Sequence, residues 1–182
     1  MAATHQRLTT AYLYMLLAID PGLDVGWALF LDTGRLLACG LGDPRIHELH
    51  KASEIRDVII EHPFVYPRGQ TKDPNAIVKL AIGAGEWAGT YRQWAQIEYV
   101  LPWQWKGSVP KVIHHERLLA ILSTDELEVF KKGTKTYTKM HVSASSVKDG
   151  YAPAPRKMPA SKKHNVLDAI GLGLFFLGRA VR

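Results

Sequence analysis

An unbroken apolar run near the N-terminus constrains the fold of this chain more than any other feature. Residues 12–19 read YLYMLLAI, and the run stops at the turn sequence Asp20-Pro21-Gly22. A short apolar run that ends in turn residues is typical of a strand buried on both faces. The run is too short to span a bilayer, and no signal-peptide cleavage pattern follows it. We therefore predict a central strand, no membrane partner and a cytoplasmic protein.

The rest of the chain predicts a single α/β domain over residues 1–182, with a mixed five-stranded sheet flanked by helices. After the first strand, further strands are expected at 25–31, 35–41, 57–61 and 97–101. Helices are expected at 44–56, 74–94, 110–122, shortly after 123 and at 162–179. Strands that come first, and then alternate with helices, indicate a layered α/β fold. The one cysteine, Cys39, excludes an internal disulfide, so packing must hold the fold together.

Positive charge is concentrated late in the chain. The formal net charge is +6, and nine of the 23 basic residues lie between Lys131 and Lys163, against one acid, Asp149. Residues 133–161 have no periodicity and predict a long basic mobile loop, which in a compact domain is either functional or a disordered, solubilising segment. An excess of positive charge favours polyanions such as nucleic acid.

Three acids stand where an ordinary surface acid is not expected. Asp20 ends the central strand, Glu61 ends the strand VIIE, and Asp168 lies inside an apolar helix. Each acid could instead have only a structural role. Asp20 could cap a turn, Glu61 could be a solvent-facing strand end, and Asp168 could be a boundary residue paired with a lysine. Taken together, they predict carboxylates that converge on rigid elements. Such a set suits Mg²⁺, which prefers oxygen ligands, and pairs of these ions catalyse phosphodiester cleavage.

The sequence resembles the RuvC family of Holliday junction resolvases, especially its compact phage versions. The resemblance lies in four segments that follow the family's order: LLAIDPGLDVGWALF, VIIEHPF, GSVPKVIHHERLL and LDAIGLGL. It implies an RNase H-like fold and a Mg²⁺-dependent endonuclease, with Mn²⁺ as a substitute and two ions per site. It also implies a homodimer that nicks a four-way DNA junction symmetrically and leaves 5′-phosphates, in a bacterial cell or a phage-infected host.

The resemblance assigns roles to individual residues. Asp20, Glu61 and Asp168 are the implied catalytic metal ligands, and Lys111 matches a lysine near the scissile phosphate. Phe64 matches an aromatic residue that inserts at the junction, although it could equally be packed onto the core. The basic residues that we expect to contact DNA are Arg68, Lys72, Lys106, Lys111, Lys135 and Lys139. We expect Trp87, Trp94, Trp103 and Trp105 to pack in the core or in a dimer interface.

The fourth metal ligand departs from the family pattern. The family has Asp or His three residues before the last acid, and Asn165 occupies that position here. Its side-chain oxygen is a weaker Mg²⁺ ligand than a carboxylate. The adjacent His164 is the alternative, and we place Asn165 ahead of it.

Three other functions are compatible with these residues to different degrees. A flap or packaging nuclease of the same fold would use the same acids. A junction-binding protein without catalysis would explain Asn165. An ATPase relative of the fold is disfavoured, because the chain has no second glycine-rich phosphate loop and is too short for two lobes.

Overall fold

The computed structural model describes residues 14–22, 24–44, 54–65, 73–137 and 156–179. The strands of the main sheet are β1 (Met15–Asp20), β2 (Gly26–Leu31), β3 (Leu36–Leu41), β4 (Ile55–Glu61) and β5 (Gln96–Val100). The helices are α1 (Pro74–Tyr91), α2 (Pro102–Trp105), α3 (Lys111–Ile121), α4 (Thr124–Gly133) and α5 (Lys163–Phe176). A second, two-stranded sheet consists of β6 (Thr136–Tyr137) and β7 (Arg156–Lys157), followed by a 3₁₀ turn at Ala160–Lys162.

The main sheet has the strand order β3-β2-β1-β4-β5, with β1 at its centre. The first three strands form an antiparallel meander, whereas β4 pairs parallel to β1 and β5 parallel to β4. Helices cover both faces of the sheet. This arrangement confirms the α/β class predicted from the sequence, with a mixed five-stranded sheet flanked by helices.

The two faces of the sheet have separate cores because side chains alternate along each strand. On one face, Leu16, Ala18 and Ile59 pack with α5, α3 and α4. On the other face, Leu17 and Ile19 pack with α1. The central strand is therefore buried on both sides, as its apolar run predicted.

Glycines let α5 lie unusually close to the sheet. A Cβ atom on Gly26 of β2 would overlap the backbone carbonyl of Asn165, and one on Gly173 would overlap the ring of Phe30. Any larger side chain would push the helix away. These glycines therefore determine how close α5 lies to the sheet, and so how close its residues come to the ends of β1 and β4.

Several element boundaries differ from the prediction. Strand β4 begins at Ile55, inside the helix expected at 44–56, most of which falls outside the described residues. Helix α1 ends at Tyr91 rather than near 94, and the short helix α2 was not predicted. The prediction of a loop over 133–161 is wrong at both ends of that range. Near its start lies β6, which pairs with β7 near its end, and the 3₁₀ turn follows β7. Residues 138–155 of that loop lie outside the description.

In the described part of the chain, we find no helix with the length and apolar character needed to cross a bilayer.

An ion pair between Arg179 and the buried Glu126 links the end of α5 to α4. Arg179, just after α5, donates to both carboxylate oxygens of Glu126 in α4, at 2.6 and 2.9 Å. The same carboxylate accepts from the backbone N–H groups of Leu36 and Ser123. Burial alone would raise the pKa of Glu126, but these hydrogen bonds outweigh it and hold the pKa at about 2.

We predict that Glu126→Gln lowers the free energy of unfolding by about 1.5–3 kcal/mol at pH 7, because the partly buried Arg179 loses its anion. In the folded protein the pKa of Glu126 lies below the ordinary value of 4.5 for a glutamate. The stabilisation is therefore present above that value and is lost as the pH falls toward 2. Urea denaturation of both proteins between pH 7 and pH 3 should show the difference shrinking with acid.

Glu128→Gln is the matched control, since Glu128 pairs with Lys131 on the exposed side of the same helix. An exposed pair of this kind is worth at most about 1 kcal/mol. Equal losses in the two variants, or a loss for Glu126→Gln that does not change with pH, would contradict this account.

Candidate metal centre

Asp20 and Glu61 are brought together by the parallel pairing of β1 and β4. Ile19 pairs with Ile60 in this register, so the next residue on each strand is one of the two acids. The residues before them, Ile19 and Ile60, face α1. Alternation therefore turns both acids toward the opposite face, where α5 lies. Neighbouring strands are about 4.8 Å apart, so the two carboxylates start from adjacent positions.

Asp168 reaches the same place from α5. This helix packs against β1 and β2, and Asp168 is only 3% exposed in the middle of its buried stretch. Gly26, which allows the close approach of α5, is the pairing partner of Asp20 on β2. The fold thus brings together the three acids that the sequence singled out.

The charges of the three acids are coupled. Burial raises the pKa of Asp20 to about 8, and the negative charges of Glu61 and Asp168 contribute to the rise. Within the described residues, no side chain donates a hydrogen bond to the Asp20 carboxyl group. Asp20 is therefore protonated at neutral pH unless further positive charge enters the cluster.

Two lysines neutralise the other two acids. Lys106, just after α2, lies 2.9 Å from Glu61 Oε2, and the indole N–H of Trp105 donates to the same oxygen at 3.0 Å. Burial would lower the pKa of Lys106, but its charge and hydrogen-bond interactions with Glu61 outweigh this effect and raise it. Lys111, the first residue of α3, lies 2.6 Å from Asp168 Oδ2.

Asp168 has a second partner in His115. The Nε2 atom of His115 lies 2.8 Å from Asp168 Oδ1, so both carboxylate oxygens of Asp168 are engaged. Burial alone would raise the pKa of Asp168, but the hydrogen bonds from His115 and Lys111 outweigh it and lower the pKa to about 2. Asp168 therefore stays ionised throughout the physiological range.

The chemistry of this cluster fits a hard divalent cation. Three carboxylates supply the oxygen ligands that Mg²⁺ prefers. The raised pKa of Asp20 reflects burial first and then repulsion by Glu61 and Asp168, and a cation would offset both. As placed in the described parts of the chain, no three acidic, histidine or cysteine side chains form a ready-made cage. Lysines hold two of the acids instead, so a metal ion would have to compete with Lys106 and Lys111.

Within the described residues, neither predicted candidate for a fourth ligand is hydrogen-bonded to the three acids, although the charge of Asp168 acts on His164. The side-chain nitrogen of Asn165 donates to the backbone carbonyl of Asp24 at 2.8 Å. Both Asn165 and His164 line a cavity of about 700 Å³ between the β1–β2 turn, α1 and the start of α5, and that cavity contains none of the three acids. Burial and the charge of Lys111 lower the pKa of His164.

The aromatic residues fall into two groups. Trp87 and Trp105 are buried in the core, whereas Trp94 and Trp103 are more than 40% exposed, so for these two only the dimer alternative of the prediction stays open. Phe64, three residues after Glu61, packs edge-to-face on Trp103 with ring centroids 4.6 Å apart. Phe64 is half-buried.

The predicted DNA-contacting residues are only partly accounted for. Lys106 and Lys111 lie in the acid cluster. Lys135 lies instead beside Leu37 and Cys39 of β3, at the opposite edge of the sheet from β5. Three further residues fall outside the described structure: Arg68, Lys72 and Lys139.

The sequence analysis missed His115 and the role of Trp105. His115 follows Lys111 by four residues, which is one helical turn, so both point the same way from α3. That spacing was a usable signal within GSVPKVIHHERLL. For Trp105, only the tertiary structure shows that its N–H group reaches Glu61.

Comparisons with known proteins give a distant likeness. No family model matches this chain, and no curated protein matches it. Among solved structures, the chain is similar to T. thermophilus RuvC in complex with a Holliday junction substrate. The two are 18% identical over 91% of this chain and 95% of that one, with a TM-score of 0.45. At this distance nothing about activity follows from the match.

Proposed function

We propose that this protein is a Mg²⁺-dependent endonuclease that resolves four-way or other branched DNA junctions by paired nicks, leaving 5′-phosphates. The observation that carries the proposal is the crowding of Asp20, Glu61 and Asp168 at one end of the sheet. Burial and the repulsion of its two neighbours raise the pKa of Asp20 to about 8. Three acids held this close lower the stability of the fold unless they bind a cation.

Asp20, Glu61 and Asp168 would hold the divalent ions, which, when bound, activate water and stabilise the leaving oxygen in phosphodiester cleavage. Mn²⁺ shares this preference for oxygen ligands and is expected to substitute. Asn165 and His164 remain the α5 candidates for a fourth ligand. Divalent ions would compete with Lys106 and Lys111 for these carboxylates, and lysines freed in this way would be available to the DNA phosphate.

A small cavity supports a phosphate position beside the acids. Its volume is about 230 Å³, and its lining includes Lys106, Gly107, Ser108, Lys111 and Asp168. The backbone N–H groups of the first turn of α3 also point toward this end of the helix, and a helix N-terminus favours anions. Two lysines and a helix start beside three carboxylates suit a substrate that carries phosphate.

Phe64 and Trp103 support contact with unpaired bases. Trp103 is 44% exposed and forms an edge-to-face pair with Phe64, three residues beyond Glu61. Stacking of a base on such an aromatic residue is worth about 1–3 kcal/mol. Unpaired or splayed bases occur at a branch point and not within regular duplex, so this pair favours branched DNA.

The outer face of α1 supports a homodimer. Val78 and Ile82 are more than half exposed, and Gly85 and Gly89 continue the same stripe with open space around them. Their spacing of three or four residues places all four on one side of the helix. An apolar, small-residue stripe on a surface helix suits close packing against a second copy, and a two-fold pair would present two metal centres to the two strands that must be nicked.

We predict that purified protein with Mg²⁺ cuts a four-way junction faster than a fork, a flap or linear duplex of the same sequence. Asp20→Asn and Glu61→Gln should each lower cutting by about 100-fold or more while junction binding persists, because the losses concern metal binding. Gel assays of cleavage and of mobility shift measure the two effects. Asp32→Asn, in the exposed β2–β3 turn, is the matched control and should cut normally.

Folding of the Asp20 variant can be checked independently. The pKa of Asp20 in the metal-free protein is raised to about 8, far above the usual range of an aspartate. At pH 7.5 folding must therefore either protonate this group or bury its charge, and both lower the stability. Asp20→Asn removes that cost, and its metal-free Tm at pH 7.5 should equal or exceed that of the wild type. Equal cutting of all four substrates would support a general flap or packaging nuclease instead. Binding without any cutting would support a junction-binding protein.

We predict that Ile82→Glu converts the dimer to a monomer, because it places a charge within the apolar stripe of α1. Light scattering coupled to size-exclusion chromatography measures the mass directly. Val112→Glu is the control, since Val112 is 69% exposed on α3. A wild-type protein that is monomeric at micromolar concentration, or an Ile82→Glu variant that remains dimeric, would refute the α1 interface.

A further inference from the structure

We propose that His115 is the residue that positions Asp168 for metal binding, by holding Oδ1 so that Oδ2 is presented to the ion. This inference rests on the proposed function, because it assigns a role within the same metal centre. It identifies a support on α3, whereas the sequence directed attention to Asn165 and His164 on α5.

The two partners of Asp168 differ in how firmly they are held. His115 Nε2 is 2.8 Å from Oδ1, and the His115 side chain is only 13% exposed. Lys111 Nζ is 2.6 Å from Oδ2, but the Lys111 side chain is 53% exposed. A lysine on a flexible, solvated stem can leave its partner at little cost. Oδ2 is therefore the oxygen that a cation can take over, while His115 keeps its hold on Oδ1.

Packing fixes His115 in this position. One turn further along each helix, the buried Leu118 of α3 meets Gly171 of α5, where a Cβ atom would come within 2.7 Å of Leu118 Cδ1. Next to His115, His114 packs edge-to-face on the buried Trp105, with ring centroids 5.1 Å apart. Leu118 and Gly171 therefore leave no space between α3 and α5 one turn from His115, and the adjacent His114 is packed against Trp105. The His115 ring consequently has little freedom to move.

The donor role does not depend on the charge of His115. A neutral ring with its proton on Nε2 and a doubly protonated ring both place an N–H group toward Asp168 Oδ1. Outer partners that hydrogen-bond a ligating carboxylate are a recurrent part of metal sites, and their loss typically costs about 10–100-fold in metal affinity. Among the three histidine and asparagine candidates, His115 is the one hydrogen-bonded to a metal-centre acid.

The test measures Mn²⁺ affinity, by electron paramagnetic resonance of the free ion, in full-length wild-type and variant proteins. His115→Phe keeps a ring of similar size but has no donor, and His115→Gln keeps an N–H donor. We expect His115→Phe to weaken Mn²⁺ binding by about 10–100-fold and His115→Gln to recover most of the loss, with similar Tm values. His115→Ala is a second donorless variant in case the Phe ring does not fit.

The outcomes separate this inference from the proposed function. If the wild type binds Mn²⁺ and cuts junctions but the donorless variants bind Mn²⁺ normally, the role of His115 is wrong and the nuclease proposal stands. Equal weakening by Phe, Ala and Gln would also overturn positioning through a donated hydrogen bond. A wild type that neither binds Mn²⁺ nor cuts would overturn both proposals.

Discussion

The parallel pairing of β1 with β4 places two carboxylates on neighbouring strand ends, and the rest of the site is organised around their repulsion. Asp20 and Glu61 start one strand spacing apart, and α5 adds Asp168 from above. Burial and this shared negative charge raise the pKa of Asp20 to about 8. Lys106 and Lys111 form ion pairs with the other two acids, so positive charge lies directly beside the site.

The same arrangement explains why small residues occur where they do. Helix α5 must pack close to the sheet to bring Asp168 to the strand ends, and Gly26 and Gly173 allow this close packing. Gly171 permits the approach of α3, which carries Lys111 and His115 to the two oxygens of Asp168. At the far end, the Glu126–Arg179 pair anchors the helix to α4. Close packing at the glycines and the Glu126–Arg179 ion pair therefore both hold α5, and with it Asp168, against the sheet.

Much of this fold follows from local sequence patterns, and the parts that do not have clear physical reasons. The apolar run before Asp20 acts within a few residues, as do the side chains of Asp73 and Ser123, which cap the first turns of α1 and α4. Such local features are readable in sequence. The contact of His115 with Asp168 joins residues 53 positions apart, and the contact of Trp105 with Glu61 joins residues 44 apart. Such pairings depend on how α2, α3 and α5 dock, which no local pattern specifies.

The central claim is that Asp20, Glu61 and Asp168 together bind divalent ions in competition with the lysines. Anomalous diffraction from crystals soaked in Mn²⁺ tests it most directly. The account predicts anomalous density bounded by all three carboxylates, with Lys106 moved away from Glu61. Crystals that hold Mn²⁺ elsewhere but show no density among the three acids, with both lysine pairs intact, would contradict it.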